Sequence, residues 1–269
     1  MTKTMWVSAI AVAAVALPMW GQDKLTVPLS DPSRPATLRA SLLTGSIRVK
    51  GYSGKDVIVE AKTRQEKPSE PAQKDGMRRI QINSTGLEVE EENNNVRVGA
   101  SAMHRAVDIE IQVPMKTSLK LKTVNDGEII VEGVQGDVEV SDINGPVTLT
   151  GISGSVVAHS LNDKVKVIFS QVDPQKPMSF SSLNGDIDVT FPASVKANVK
   201  LKTQRGDVYS DFDLVVTAAP KATTEPARTE KGKYRVKLDQ SLYGTINGGG
   251  PEMQFSNFNG SIYIRKAGK

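Results

Sequence analysis

The sequence of 269 residues contains no cysteine, and this absence excludes several classes of protein. Without thiols the chain forms no disulfide, holds no thiolate-bound metal and carries no lipidated cysteine as a membrane anchor. Histidine is almost as scarce, since only His104 and His159 occur. Nucleophilic triads and histidine metal sites lack their usual residues, so the sequence predicts no cofactor and no metal. Both histidines are interpreted as surface or corner residues.

Long apolar runs are also missing, apart from one that extends from Trp6 to Leu17. It follows Lys3 and precedes Pro18, an arrangement typical of a secretory signal peptide, and it is short for a membrane span. We therefore predict a signal peptide over residues 1–21 and an exported mature chain without a transmembrane segment. The mature protein is expected in the periplasm, at the cell surface or secreted. A retained membrane anchor is the alternative.

Glycine, in contrast, recurs at a regular interval. Gly127, Gly136, Gly145 and Gly154 are spaced by nine residues, which indicates a short structural unit that is stacked repeatedly. Alternation of apolar and polar residues after each glycine indicates a strand of about five residues and a tight corner. The apolar pairs that follow these glycines are Ile129/Val131, Val138/Val140, Val147/Leu149 and Val156/Ala158.

The same pattern extends over much of the remaining chain, where wider spacings indicate strands separated by insertions. Val134, Ile143 and Ile152 are apolar residues predicted to turn inward at corners. The further inward pairs are Ile47/Val49, Val165/Val167, Met178/Phe180, Ile187/Val189, Val199/Leu201, Val208/Ser210, Met253/Phe255 and Ile262/Ile264.

Asn-Gly dipeptides mark several predicted corners, at residues 144–145, 184–185 and 259–260. Glycine adopts a positive φ freely and asparagine tolerates it, as a sharp corner requires. Asn-Gly also forms two-residue hairpins, so a meander of antiparallel strands is the alternative. The nine-residue spacing favours an all-β, single-domain β-solenoid over residues 22–269. Segments near 64–75 and 217–231, rich in proline and charge, are predicted to be mobile surface loops.

A resemblance to a known family rests on the run VDIEIQVPMKTSLKLKTVNDGEIIVEGVQGDVEV at 107–140. Its pattern recurs in VTFPASVKANVKLKTQRGDVYSDFD at 189–213, and the chain ends with GTINGGGPEMQFSNFNGSIYIRK at 244–266. These stretches resemble a bacterial domain-of-unknown-function family that carries the name "putative adhesin". The resemblance covers most of the mature chain. It implies an exported β-strand-repeat protein of the cell envelope, and it implies no catalytic residues.

Acidic residues are concentrated between Val124 and Asp163, a stretch without lysine or arginine. Stacked carboxylates in repeat proteins bind calcium or act on uronic-acid chains. The strands lack the calcium-binding repeat, however, and Pro146, Ser155 and Lys164 occupy equivalent positions, which favours a solvated face. The outward carboxylates predicted to form a partner-binding acidic face are Glu128, Asp137, Glu139, Asp186, Asp188 and Asp207.

The leading functional prediction is an exported, non-enzymatic envelope or surface protein. It would act as an adhesin-like binding or scaffolding module for an envelope polysaccharide or protein. One alternative is a polysaccharide-active β-helix enzyme, which needs carboxylates that converge with a cation in a groove. Another is an envelope-stress or assembly component that self-associates end to end. The modest net charge of +4 argues against nucleic acid as a partner. Only Tyr209 and Tyr263 are aromatic residues at outward strand positions, which weakens the case for glycan.

Overall fold

The computed structural model describes residues 22–64, 73–74, 77–78, 84–102, 105–217 and 241–268. Within these ranges the regular secondary structure is entirely β-strand, and no helix occurs. The strands are β1 (Gln22–Pro28), β2 (Ala36–Ser41), β3 (Ile47–Tyr52), β4 (Asp56–Thr63), β5 (Gln73–Lys74), β6 (Met77–Arg78), β7 (Glu88–Glu92), β8 (Asn95–Gly99), β9 (Val107–Pro114), β10 (Thr117–Thr123), β11 (Ile129–Glu132), β12 (Val138–Asp142), β13 (Val147–Gly154), β14 (Val156–Ser160), β15 (Val165–Val172), β16 (Met178–Asn184), β17 (Ile187–Phe191), β18 (Ala197–Lys202), β19 (Val208–Ser210), β20 (Val215–Thr217), β21 (Leu242–Ile246), β22 (Glu252–Asn259) and β23 (Ile262–Lys266).

Two large mixed sheets contain all of these strands except the short pair β5 and β6. The ten-stranded sheet has the order β1-β4-β9-β3-β11-β13-β15-β17-β23-β19. The eleven-stranded sheet has the order β20-β21-β18-β22-β16-β14-β12-β10-β2-β8-β7. Pairing is parallel in the middle of both sheets, whereas the antiparallel pairs lie toward their ends. A meander of hairpins therefore does not describe the central part of the chain.

From β10 to β17, consecutive strands alternate between the two sheets, so strands nine residues apart do not pair. In the most regular part of this stretch, from β11 to β15, parallel partners are eighteen residues apart: Ile129 lies beside Val147 and Val147 beside Val165 in one sheet. In the other sheet Val138 lies beside Val156. Each nine-residue sequence unit of that part thus supplies one strand to one sheet, and two consecutive units supply one strand to each sheet.

The hydrophobic core lies between the two sheets, because apolar side chains point inward on both of them. The predicted inward pairs are buried, except that Val208 is half-buried and Ser210 is exposed. These two residues lie on β19, the last strand of its sheet, where no further strand covers them. Four phenylalanine rings, stacked or packed edge to face, fill one part of the core: Phe169, Phe180, Phe191 and Phe255.

The chain crosses between the sheets at two corners. The asparagine corner holds the connections from the eleven-stranded to the ten-stranded sheet, and it is named for the five residues Asn125, Asn144, Asn162, Asn184 and Asn259. The glutamine corner holds the connections in the opposite direction and is named for Gln135 and Gln171. Predicted corner residues Val134 and Ile152 are buried at the glutamine corner. Ile143 at the asparagine corner is only half-buried, and its neighbour Asp142 is buried instead.

Glycine is required at the asparagine corner mainly because successive turns approach each other closely. A Cβ at Gly145 would overlap the carbonyl oxygen of Gly127, and one at Gly185 would overlap the backbone of Asp163. Neither Gly145 nor Gly185 has a positive φ, so the predicted reason for Asn-Gly was wrong at these two positions. Gly260 does adopt a positive φ of 137°.

Several predicted features fall on residues outside the described ranges. They are the signal peptide over 1–21, His104, and most of the predicted loops at 64–75 and 217–231. Arg64, at the start of the first predicted loop, is described and forms an ion pair with Asp108 at 2.6 Å. Among the residues that the structure describes, no helix is long and apolar enough to cross a membrane.

Candidate functional site

The six carboxylates predicted to form one acidic face lie on two different surfaces. Asp137 and Glu139 belong to the eleven-stranded sheet, where they precede or lie within β12. The other four belong to the ten-stranded sheet: Glu128, Asp186, Asp188 and Asp207. Strand alternation between sheets separates these residues, and no single acidic face contains all six.

Most of these carboxylates also have close partners. Asp186 accepts a hydrogen bond from the Ser261 backbone N–H at 2.7 Å, and Asp207 accepts one from the Tyr209 hydroxyl at 3.3 Å. In the described part of the chain no group of three or more metal-binding side chains occurs. Three carboxylates form ion pairs with cations of neighbouring strands: Glu128 with Arg48 at 2.7 Å, Glu139 with Lys120 at 2.8 Å, and Asp188 with Arg265 at 2.7 Å.

Asp137 differs from the other five because it lines a cleft at the glutamine corner. Its carboxylate accepts hydrogen bonds from Lys176 Nζ at 2.8 and 3.0 Å and from Ser155 Oγ at 2.8 Å. The hydrogen-bonded Lys176 ammonium lowers the pKa of Asp137 and has its own pKa raised in return. Asp173 lies 3.7 Å from the same ammonium. The Asp137 carboxylate is therefore favoured in its ionised form and is paired with a cation from another connection of the same corner.

An extended connection builds one wall of this cleft. Residues 173–177 join β15 to β16, whereas Ser155 alone joins β13 to β14. The longer connection turns at Asp173, whose carboxylate accepts the Gln175 N–H at 3.0 Å, and it carries Lys176 over Ser155 to Asp137. The overhang borders an open cleft of about 640 Å³, within the size range of small-molecule sites.

The floor of the cleft is a row of polar side chains on successive levels of the corner. Gln135 forms a parallel bridge with Ser153, and Ser153 lies beside Gln171 in the pairing of β13 with β15. Lys116 extends the row by one level. Its neighbour Met115 lies beside Gln135, because the Gln135 backbone N–H donates to the Met115 carbonyl at 2.7 Å. The cleft thus presents amide, hydroxyl, ammonium and carboxylate groups along one corner.

Two other cavities are less suited to a site. One of about 740 Å³ includes Arg64, which is already bonded to Asp108 and to Ser46 Oγ, and its wall adjoins residues outside the described ranges. Another of about 230 Å³ lies on the outer surface of the ten-stranded sheet and includes Gln112. The 640 Å³ cleft, although smaller than the first, brings Asp137 together with side chains from several connections of one corner.

The outward tyrosines form a compact aromatic pair at the end of the ten-stranded sheet. The rings of Tyr209 and Tyr263 stack with centroids 5.2 Å apart, and the Arg265 guanidinium lies 5.2 Å from the Tyr263 ring. One tyrosine face is therefore occupied by arginine and two faces are turned toward each other. His159, predicted to be a surface or corner residue, is half-buried and contacts Ser181 Oγ at 2.9 Å.

Sequence reasoning identified Asp137 but missed the other residues of the cleft. Lys176, Gln135 and Gln171 are polar residues at corners, where no periodic pattern distinguishes them. A signal was present in the wide spacing between Asp163 and Gly185, which indicates an insertion, and in the prolines of QVDPQKP at 171–177. The remaining features of the cleft depend on contacts between connections that are remote in sequence, such as that of Lys176 with Asp137.

Comparison with known proteins gives low similarity. No family model and no curated protein matches the chain. A "putative cell adhesion protein" from Clostridium sporogenes is 12% identical, with a TM-score of 0.47, and the match covers 91% of this chain and 99% of that one. A "putative adhesin" from Bacteroides fragilis is 9% identical, with a TM-score of 0.30, and the match covers 91% and 96%. At these low scores the family resemblance stays a prediction.

Proposed function

We propose that the protein is an exported, non-enzymatic binding module of the cell envelope or surface, and that its two sheets are the two sides of one β-solenoid. The eighteen-residue offset between paired strands supports the solenoid, because each repeat adds one strand to each sheet. Export is supported by the apolar run that follows Lys3. The resemblance to an envelope family points the same way.

The observation that carries the binding function is the polar cleft at the glutamine corner. Its side chains offer both hydrogen-bond donors and acceptors, and the Lys176–Asp137 contact holds one wall in place. Regular corners of a repeat protein form extended binding surfaces, and here the overhanging connection turns such a surface into a concave site. A partner with many hydroxyl or amide groups fits these side chains.

The same contact argues against catalysis. Glycoside hydrolysis needs one carboxylic acid with a raised pKa and a second carboxylate across the scissile bond. In the cleft, Asp137 and Asp173 both approach the ammonium of Lys176, and the pKa of Asp137 is lowered. Asp137 is thus a poor proton donor at neutral pH, and the arrangement favours binding without turnover.

Cell fractionation and a turnover assay test this proposal together. The full chain with a C-terminal tag is expressed in bacteria, and we expect the tagged protein outside the cytoplasm with an N-terminus near Gln22. Purified protein is then incubated with uronate and neutral polysaccharides, and we expect no release of reducing ends.

Two outcomes would contradict the proposal. Retention of the tagged chain in the cytoplasm would exclude an envelope role. Polysaccharide cleavage that disappears in Asp137→Asn and persists in Glu139→Gln would establish an enzyme. Glu139 is a suitable control because it lies on β12 close to Asp137, and it pairs with Lys120 away from the cleft.

A further inference from the structure

We propose that the cleft at the glutamine corner binds an uncharged, extended oligosaccharide that runs along the row of corner side chains. This inference rests on the proposed binding function and names the ligand class of the same site. It follows from the charge, the dimensions and the hydrogen-bonding groups of the cleft, and from the pairing of the strands that line it.

The charges of the cleft balance. Lys116 and Lys176 contribute two positive charges, and Asp137 and Asp173 contribute two negative charges. A polyanion such as a uronate chain would meet both aspartates as well as the lysines, and the Lys176 ammonium is already bonded to Asp137. Burying a charged ligand group beside fixed charges of the same sign is unfavourable. An uncharged ligand avoids this repulsion.

The floor of the cleft matches a linear ligand in length. Gln135, in the connection after β11, lies beside Ser153 on β13, which lies beside Gln171 on β15, and Lys116 adds a fourth level. Three strand spacings correspond to about 14 Å, the length of about three linked pyranose rings. A sugar chain parallel to the row would place one ring near each spacing.

The hydrogen-bonding groups suit sugar hydroxyls. The amides of Gln135 and Gln171 each offer two N–H donors and a carbonyl acceptor, and the Ser153 hydroxyl both donates and accepts. Sugar hydroxyl groups also donate and accept, so they can satisfy mixed groups of this kind. Among the described residues, the Gln171 side chain has no hydrogen-bond partner, and Gln135 Nε2 lies 4.0 Å from the Met115 sulfur. These amides are available to a ligand.

A peptide ligand fits less well. Extended peptides bind by adding a strand to a sheet edge or by inserting side chains into apolar pockets. The strands that contribute residues to the cleft, β10, β13 and β15, are each paired on both sides, so they offer no free edge. Apart from glycine, its lining residues with apolar side chains are Pro35, Val172 and Pro174.

Calorimetric titration of the full chain tests the inference. The uncharged probes are chitotetraose and cellotetraose, and the anionic probe is tetragalacturonate. We expect saturable binding of at least one uncharged probe and weaker or no binding of tetragalacturonate. In the double variant Gln135→Ala/Gln171→Ala, affinity should fall at least about ten-fold, because the loss of several hydrogen bonds exceeds 1.4 kcal/mol.

Gln112→Ala is the matched control, since Gln112 is also exposed but lines the cavity on the other sheet. It should change affinity by less than about two-fold, and exposed substitutions of this kind leave folding nearly unchanged. Absence of binding to both uncharged probes overturns the inference, as does tighter binding of tetragalacturonate. An equal loss in Gln112→Ala, or a loss in Tyr209→Ala instead of the double variant, also overturns it. If no probe binds and no polysaccharide is cleaved, only the ligand class fails, whereas cleavage contradicts the proposed function itself.

Discussion

The two corners of the protein use side-chain amides in opposite ways. At the asparagine corner each amide bonds to the amide of the adjacent turn, whereas at the glutamine corner Gln135 and Gln171 face the cleft. The amides of the asparagine corner thus hydrogen-bond to one another, whereas those of the glutamine corner can hydrogen-bond to a ligand. The asparagine bonds run from Nδ2 to Oδ1: Asn144 to Asn125 at 3.0 Å, Asn162 to Asn144 at 2.7 Å, Asn184 to Asn162 at 3.0 Å and Asn259 to Asn184 at 2.8 Å.

The buried residues behind the two corners also differ in polarity. Buried Val134 and Ile152 lie behind the glutamine corner, where Thr117 is a buried polar residue whose hydroxyl donates to the Pro114 carbonyl at 2.6 Å. Behind the asparagine corner lies a buried polar column, whose members donate to backbone carbonyls of the adjacent turn. Ser160 Oγ donates to the Gly145 carbonyl at 3.0 Å, Ser182 Oγ to Asp163 at 2.9 Å and Asn257 Nδ2 to Gly185 at 2.7 Å. The side chains of the asparagine corner therefore stabilise the fold. At the glutamine corner a ligand can bind Gln135 and Gln171 without breaking hydrogen bonds between turns.

The largest expected effect comes from the core that both corners share. Replacement of Val147 and Leu149 by Asp should unfold the protein, because each buried apolar side chain contributes about 1.5–3 kcal/mol and a buried charge adds a desolvation cost. Circular dichroism during urea unfolding measures the effect. Thr148→Asp, on the outward side of the same strand, is the control and should cost little. Equal tolerance at inward and outward positions would contradict the inward register.

A smaller effect of opposite sign is expected for Asp142→Asn at the asparagine corner. Burial raises the pKa of Asp142 above 3.8, and its Oδ2 has no hydrogen-bond partner among the described residues. The folded state holds this proton more tightly than the unfolded chain does. Stability from Asp142 is therefore full below pH 3.8 and is lost as pH rises through the folded-state pKa. At neutral pH the Asn variant should be more stable by about 1–3 kcal/mol.

Urea unfolding at neutral pH and at a pH below 3.8 checks this expectation, since the gain should shrink at the lower pH. Asp137→Asn at the glutamine corner is the counterpart. Lys176 lowers the pKa of Asp137, so its stabilising contribution is present above pH 3.8 and is lost as pH falls through the depressed pKa. The pair is half-exposed, and its loss should cost less than about 1 kcal/mol at neutral pH. The same sign for both variants would refute the contrast between the corners.

The smallest effect is expected when one amide is removed from each corner. Asn162→Ala deletes the bonds to Asn144 and from Asn184, and it should lower the free energy of unfolding by about 1 kcal/mol. Gln135→Ala should leave stability nearly unchanged, because this side chain makes only a long contact with the Met115 sulfur. Thermal unfolding of the two variants side by side measures the difference. A larger loss of stability in Gln135→Ala than in Asn162→Ala would mean that the side chains of the glutamine corner also stabilise the fold.

The strand pattern could be predicted from sequence because burial imposes a period of two on every inward pair. Ile129 and Val131 are buried as predicted, for example. The alternation that buries Val138 and Val140 continues to Asp142, which is also buried. Ile143 was instead predicted as the inward residue, because an apolar side chain was preferred at the corner. Polarity misled the prediction there, because a carboxylate can turn inward when backbone N–H groups meet it, as those of Asn144 and Gly145 do.

Sheet assignment and the cleft could not be predicted in the same way. A nine-residue spacing is equally compatible with neighbouring strands in one sheet or with alternation between two, since the inward pairs are identical in both cases. The ion pairs of Glu128 and Glu139 join strands that are remote in sequence. The sequence between Val124 and Asp163 contains the carboxylates but no lysine or arginine. The cations that pair with them come from neighbouring strands, so the local sequence could not predict these ion pairs.

Alternation between sheets gives the chain a parity that limits how its length can change. Removal of residues 147–164 would put Val165 where Val147 stood, and every later strand would stay in its own sheet. Removal of nine residues would transfer each later strand to the opposite sheet and place glutamine-corner connections where the asparagine bonds should form. Insertions and deletions that preserve the architecture therefore come as pairs of strands. The motif of the sequence is one strand, but a pair of strands is the step by which such a molecule can grow.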